Sequence, residues 1–268
     1  MRILQQLPFG RHVARALGSR LFHWAENNGD SDARRNGEDW LVDSFLHDWR
    51  RNSRCGDRPR MIIDAGANRG DFAASVLRSA DRWGVSVRVV CFDPSSACLA
   101  MLRRRFAGEA RVELVRAAVG EMAGSMSLHA DAPGSGHASL LARADGGGCM
   151  EMVEVRRLDT YLQAEGIARV DLLKLDVEGF EIPALRGLGD RLTPEAVGMV
   201  QFEYGGTTLD ARGRLSDFYE LLGARGYRIA KLLPRALQER RYVPWMDHYT
   251  YANYVAYSPR SVCDMSEH

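Results

Sequence analysis

From about residue 60 onward, short apolar runs of strand length alternate with stretches of helical period. That alternation restricts the chain to a mostly parallel sheet with helices on its faces. Runs at 61–64, 87–92, 112–115, 170–176, 197–202, 227–233 and 251–257 predict seven strands, with helices over 72–83, 97–106 and 215–222 between them. The last two strands are joined by a segment without helical periodicity, which predicts an antiparallel hairpin at the sheet edge. Residues 120–148, rich in Gly, Ala and Ser, interrupt the alternation and read as a hairpin or a mobile lid.

The sharpest local signal is Ile62-Ile63-Asp64-Ala65-Gly66-Ala67-Asn68-Arg69-Gly70, a strand running into D-x-G-x-x-x-G and then a helix. Gly66 allows a sharp turn and a close backbone approach, and the helix start offers unpaired N–H groups to a polar ligand. The spacing is neither G-x-G-x-x-G nor a P-loop, so a nicotinamide fingerprint and a Walker phosphate site are disfavoured. Asp93 ends the second strand in Cys91-Phe92-Asp93-Pro94, at the carboxyl edge where doubly wound sheets bind ligands. Its two oxygens suit the paired hydroxyls of a ribose, the alternative being a cap for the next helix. Together the two motifs point to an adenosine cofactor, S-adenosylmethionine.

A third stretch runs from Asp171 through Lys174, Asp176, Glu178 and Glu181. Strand period sets Lys174, Asp176 and Glu178 on one side, and a lysine inside a buried strand needs a partner, for which those carboxylates are candidates. Lysine occurs only at Lys174 and Lys231, leaving 36 − 2 = 34 arginines, a bias expected of a GC-rich bacterial genome.

These stretches in this order, with Ala117-Ala118-Val119-Gly120, Val155-Arg156-Arg157-Leu158-Asp159-Thr160 and Asn253-Tyr254-Val255-Ala256, resemble the FkbM family of class I methyltransferases over roughly residues 60–257. The family's usual Phe-Glu-Pro stands here as Phe92-Asp93-Pro94, one methylene shorter. The resemblance implies a Rossmann-like α/β fold, a seven-stranded mostly parallel sheet of order 3-2-1-4-5-7-6 flanked by helices; ahead of it, the helical spacing of Trp40, Leu41, Phe45, Leu46 and Trp49 predicts a helical N-terminal extension. The expected division is 1–57 extension, 58–260 methyltransferase domain and 261–268 tail. It also implies S-adenosylmethionine held by Asp64, Gly66, Ala67, Asn68, Gly70, Asp93, Ala118 and Asp176, with Asp93 on the ribose, Ala118 near the adenine and Gly66, Ala67 and Asn68 at the methionine end.

For the group that accepts the substrate proton, Asp176 and Glu203 lie at the ends of the fourth and fifth strands, and either can serve. His248, and His137 in the glycine-rich insert, are further candidates because imidazole titrates near neutrality. Asp176 and Glu203 are also the one pair suited to Mg²⁺, although a metal-free reaction is preferred. Glu178 and Glu181 read as partners of Lys174 or as helix caps. Tyr204, Trp245, Tyr249 and Tyr251 form an aromatic set that either stacks on a sugar or packs in the core. The expected activity is O-methylation of a hydroxyl, of a sugar in a bacterial surface polysaccharide, glycolipid or glycoside. Tailoring of a macrolide-type secondary metabolite and a non-catalytic binding module are the alternatives.

Charge narrows the partners. With 36 Lys+Arg against 35 Asp+Glu the net charge is +1, without the cationic surplus of nucleic-acid binders. Asp176-Val177-Glu178 is also unlike the Asn/Asp-Pro-Pro-Tyr/Phe motif of nucleic-acid methylases. The five cysteines are scattered, with no disulfide or zinc spacing, as expected in a reducing cytoplasm. Residues 1–25 combine Arg2, Arg11, Arg15 and Arg20 with an apolar stripe and no acidic residue. The stripe is expected to pack on the main domain. The other readings are peripheral contact at the inner face of the membrane, a homodimer contact or a cover over the active site.

Overall fold

The computed structural model describes residues 9–51, 58–130, 138–141 and 149–258. Three helices open the chain: α1 (Phe9–Ala25), α2 (Ala33–Asn36) and α3 (Glu38–Arg51). The alternation follows with β1 (Arg60–Ala65), α4 (Asp71–Trp83), β2 (Val87–Phe92), α5 (Ser96–Arg105) and β3 (Val112–Val115). Next come β4 (Ala118–Val119), β5 (Gly124–Ala130), β6 (Cys149–Arg156), α6 (Leu158–Ala164), β7 (Val170–Leu175), α7 (Glu181–Arg186), β8 (Val197–Tyr204), α8 (Gly206–Asp210), α9 (Leu215–Gly223), β9 (Arg228–Leu233), β10 (Ala236–Glu239) and β11 (Ala252–Tyr257).

The main sheet runs β10-β9-β11-β8-β7-β1-β2-β3. Without β10 this is the expected 3-2-1-4-5-7-6, with the first five strands parallel and β11 antiparallel to β8 and β9. Two details differ from expectation. The sheet has eight strands, because β10 hairpins back onto β9. The late antiparallel pair β9–β11 is therefore internal, β11 lying between β8 and β9. The glycine-rich interruption contributes the antiparallel pair β5 and β6, the hairpin expected there, which with β4 forms a separate three-stranded sheet. Residues 131–137, with His137, and 142–148 lie outside the described residues.

Strand alternation sends the two sets of side chains into two cores. Met61, Ile63, Ala65, Leu173, Leu175, Val200 and Phe202 pack with the α6, α7 and α9 side, and Ile62, Val89, Cys91, Leu172, Met199 and Val255 pack with α3 and α4. The helix α3 reads as amphipathic because Leu41, Val42, Phe45 and Leu46 fall at helical spacing, and all four are buried in the second core. The extension is thus part of the same core as the sheet from α3 onward; the predicted boundary at 57 falls in residues outside the described set. Helix α1 departs from expectation outright: its apolar stripe is in solvent, with Leu17 60%, Leu21 64% and Trp24 80% exposed.

Candidate active site

On the α3 face, alternation that yields apolar residues in mid-strand yields polar ones at the carboxyl ends. Asp64 follows Ile62 on β1, Lys174 follows Leu172 on β7, and Gln201 and Glu203 follow Met199 on β8. Register sets Asp64 beside Lys174, Lys174 beside Gln201, and Glu203 beside Asn253 of β11. A buried ammonium requires a counter-charge. Lys174 donates to Asp176 Oδ2 at 2.7 Å and stands 4.0 Å from Asp64 Oδ1. Burial alone would lower its pKa, but Asp176, Asp64 and Glu38 outweigh it and hold the ammonium charged.

The loop after β1 is shaped by backbone. The amides of Gly66 and Ala67 both donate to Phe92 O, at 2.9 and 3.0 Å. Gly66 has φ +85°, and a Cβ there would run into the carbonyl of Asp176, so glycine is required for both conformation and closeness. The close neighbour is the chain itself, at the exit of β7, rather than a ligand. Asn68 takes φ +46°, and its N–H donates to Asp93 Oδ2 at 2.8 Å, while Ser95 N–H donates to Asp93 Oδ1 at 2.9 Å. Asp93 therefore stitches the two loops together, and Ser95, not Asp93, caps α5. The Cys98 thiol is a third neighbour of this carboxylate, which leaves one lone pair of the four open toward the slot. Burial raises the Asp93 pKa to about 6 against the pull of both amides.

Two clefts meet at this edge. One is a narrow, mainly apolar slot with Phe92, Pro94, Ala118, Val119, Leu140 and Phe180 on its walls and Asp93 beside them. The other is a broader polar groove bounded by Ser31–Asp39 residues of the extension, Asp64, Ala67, Lys174, Glu203 and Tyr251. Gly66, Asn68, Asp176 and Glu178 line both. Gly70 lines neither: its φ of +78° starts α4, and a Cβ would strike Phe106 and Leu102, so the fold itself requires glycine there.

The junction is acidic. Burial, then the charges of Asp176 and Glu181, raises Glu178 to about 8, and this residue has φ +53°, an uncommon conformation for a non-glycine. Burial, then Asp176, Glu178 and Glu181, raises Glu203 well above the carboxylate range. Glu181 is a structural carboxyl, its Oε1 accepting from Val177 and Gly179 N–H at 3.1 Å each, with a pKa raised by burial to about 7. Burial lifts Asp64 to about 6, and neither oxygen has a hydrogen-bond partner among the described residues. Asp176 and Glu203 are not part of any arrangement of three or more His, Cys, Asp or Glu side chains suited to a metal among the described residues.

His248 is elsewhere. Its Nδ1 accepts from Thr250 N–H at 3.1 Å, its Nε2 lies 3.3 Å from the Asn28 amide, and its ring packs edge-on to Phe22 and Tyr204. Burial depresses its pKa to about 4, and it lines neither cleft. Of the aromatic set, Tyr204 is fully buried with its hydroxyl accepting from Tyr249 N–H, Trp245 lies against Phe22, and only Tyr251 lines the groove. Sequence reasoning also passed over Glu38, whose Oε1 accepts from Asn253 at 2.7 Å and Asn36 at 3.0 Å on the groove wall.

Residues 64–229, more than half of the chain, match the methyltransferase FkbM domain. The chain belongs to the FkbM methyltransferase family. Methyltransferase sdnD of Sordaria araneosa is 27% identical over 160 residues, a stretch that covers 48% of this chain and 60% of that protein. Among solved structures, methyltransferase FkbM of Methylobacillus flagellatus KT aligns with a TM-score of 0.47 at 19% identity, over 74% of this chain and 43% of that one. SMU.1697c of Streptococcus mutans, a methyltransferase in complex with SAH, aligns with a TM-score of 0.43 at 10% identity, over 81% and 94%.

S-adenosylmethionine is the methyl donor that goes with the FkbM family, and the chemistry of this edge fits it. The apolar slot has the character that a purine ring needs, Asp93 offers an acceptor for a ribose hydroxyl, and the buried oxygens of Asp64 remain unsatisfied for a cationic group.

Proposed function

We propose that this protein is an S-adenosylmethionine-dependent O-methyltransferase acting on a hydroxyl of a saccharide-bearing acceptor. The observation that carries the reading is the meeting of an apolar slot and a polar groove at Asp176 and Glu178, two carboxyl side chains that line both. When bound, the donor supplies an electrophilic methyl group on a sulfonium. The slot residues with Asp93 would hold its adenosine part, and Asp64 and the Gly66–Asn68 loop would hold its methionine part.

The chain's remaining task is to orient a hydroxyl and take its proton. Asp176 already accepts from the Lys174 ammonium, which weakens it as a base. Desolvation, with Asp176, Glu178 and Glu181 around it, raises the proton affinity of Glu203, and it shares a hydrogen bond with Asp176, so it is the neighbour that tunes that carboxylate. Glu178, poised at about 8, is the group matched to proton acceptance near neutral pH. A groove walled by carboxylates, with Phe72 and Tyr251 among its lining, suits a polyol, whose hydroxyls need acceptors and whose ring faces stack on aromatics.

The test is transfer of an isotopically labelled methyl group to a panel of sugars, glycosides and glycolipids, with the product located by NMR. A methyl ether on a saccharide oxygen is expected. Methylation at nitrogen or carbon would refute the O-specificity, and turnover only of acceptors lacking sugars would refute the acceptor class.

A further inference from the structure

Among the described residues, helix α1 is tied to the rest of the chain only near its C-terminal end. Phe22 packs edge-on to Trp245 and His248, at 6.0 and 5.7 Å. Just beyond the helix, Glu26 accepts from Arg240 and, at 3.1 Å, from the fully buried Lys231, and Gly29 N–H donates to Tyr251 O. Every residue from Gly10 to Leu21 is exposed. Within that stretch and the next turn, Val13, Leu17, Leu21 and Trp24 are 41%, 60%, 64% and 80% exposed. At 3.6 residues per turn these four side chains fall within an arc of about 80°, with Phe22 about 140° from its centre. The stripe therefore faces away from the contact that anchors the helix.

Charge identifies what the stripe meets. Residues 1–25 hold Arg2, Arg11, Arg15 and Arg20 and no acidic residue. Of the arginines on α1, Arg20 lies about 60° from the centre of the stripe, at its border, while Arg11 and Arg15 lie on the far side; an anionic lipid surface attracts the net positive helix and pairs with Arg20 while its acyl boundary takes the apolar stripe. The helix spans about 25 Å, and none among the described residues is long and apolar enough to cross a bilayer, so the fitting geometry is flat on the surface. Exposed tryptophan at the end of such a stripe is the side chain that favours the headgroup boundary.

We propose that α1 is a membrane-docking helix that binds anionic lipid bilayers through Val13, Leu17, Leu21 and Trp24, with Arg20 at the border of the stripe reaching lipid headgroups. The segment it leads into, with Ser31, Asp32, Ala33, Arg34 and Glu38, is one wall of the polar groove, so docking brings that groove to the membrane surface. The consequence, an acceptor carried on a lipid, rests on the methyl-transfer reading. The docking itself does not.

Vesicle flotation of the full chain tests it and needs neither donor nor acceptor. Phosphatidylcholine vesicles with about 30 mol% phosphatidylglycerol are expected to carry the protein at least about tenfold better than phosphatidylcholine alone, with the difference lost in high salt. The double variant Leu17→Ser/Leu21→Ser should reduce that partition about tenfold or more while circular dichroism and S-adenosylhomocysteine binding stay unchanged, since both side chains are in solvent. Absence of flotation, or flotation that the double variant leaves intact, would overturn the proposal. So would a solution dimer that this variant dissociates while no vesicle binding occurs.

Discussion

At the residue scale the account turns on carboxyl groups that share a position and differ in surroundings. Asp93 is held by two backbone amides and faces the slot, so Asp93→Ala removes an acceptor for the donor's ribose and strands the Asn68 and Ser95 N–H groups. Loss of a charge-assisted bond of about 1.5–3 kcal/mol predicts S-adenosylhomocysteine binding weaker by about tenfold to a hundredfold, read by calorimetry; unchanged affinity would remove Asp93 from the donor site. Glu178→Gln should lower turnover by roughly 100-fold or more while leaving donor affinity within a few-fold. In the wild type, turnover should rise with pH to a midpoint near 8, where Glu178 loses its proton, and that limb should be absent from whatever activity the variant keeps. A Glu178→Gln enzyme with full activity would return the proton to Asp176 or Glu203. The motif stretches made Asp64, Gly66, Asn68, Asp93 and Asp176 legible, because each sits at a strand end fixed by apolar periodicity. The role proposed for Glu178 was not legible: its proximity to Lys174 suggested pairing, and its raised proton affinity comes from burial beside Asp176 and Glu181, which only the folded loop creates.

At the element scale, the turn between β1 and α4 and the packing of α3 decide whether the site is built at all. Gly66→Ala forces a side chain into a left-handed backbone conformation and against the Asp176 carbonyl. It should cost about 3 kcal/mol or more in urea unfolding, or prevent folding; a loss below about 1 kcal/mol would show that the close approach is relaxed in solution. Leu41 is fully buried in the core shared by α3, α4 and the sheet, so Leu41→Ala should cost about 2–5 kcal/mol within a single transition. Two transitions, with α3 melting first, would instead restore the extension as a separate unit. Periodicity found α3, α4, α5 and α9 because their apolar faces are one-sided. It missed β10, a four-residue strand with only intermediate or exposed side chains, and it gave the β5–β6 arm as a hairpin without its bounds, because glycines and polar residues hide the alternation. The stripe on α1 was read correctly as a stripe and wrongly as a buried one, since period alone does not say which surface an amphipathic face meets.

For the whole molecule, concentrating buried carboxyls at one sheet edge costs stability. Glu178, Glu181 and Glu203 all bind protons more tightly folded than unfolded, so between the ordinary carboxylate range and about pH 8 the folded state holds protons that the unfolded chain has released, and stability falls as pH rises. Below about pH 6.5 the depressed pKa of His248 works in the opposite direction, and above about 8 the lowered pKa of Lys231 does the same, which makes pH 6.5–8 the clean window. Scanning calorimetry across it should show the thermal midpoint dropping by a few degrees, and Glu178→Gln should flatten the slope and melt higher than wild type at pH 8. A midpoint that rises across this window would mean that the carboxyls are solvated rather than buried. This arrangement makes sense in a protein that trades stability for a proton acceptor beside its donor slot. The central claim, a donor slot at the ends of β1 and β2, is tested most directly by calorimetric titration of the full chain with S-adenosylhomocysteine. Saturable one-site binding that weakens in Asp93→Ala and persists in Glu178→Gln is the predicted result, and a folded protein that takes up no S-adenosylhomocysteine would contradict it.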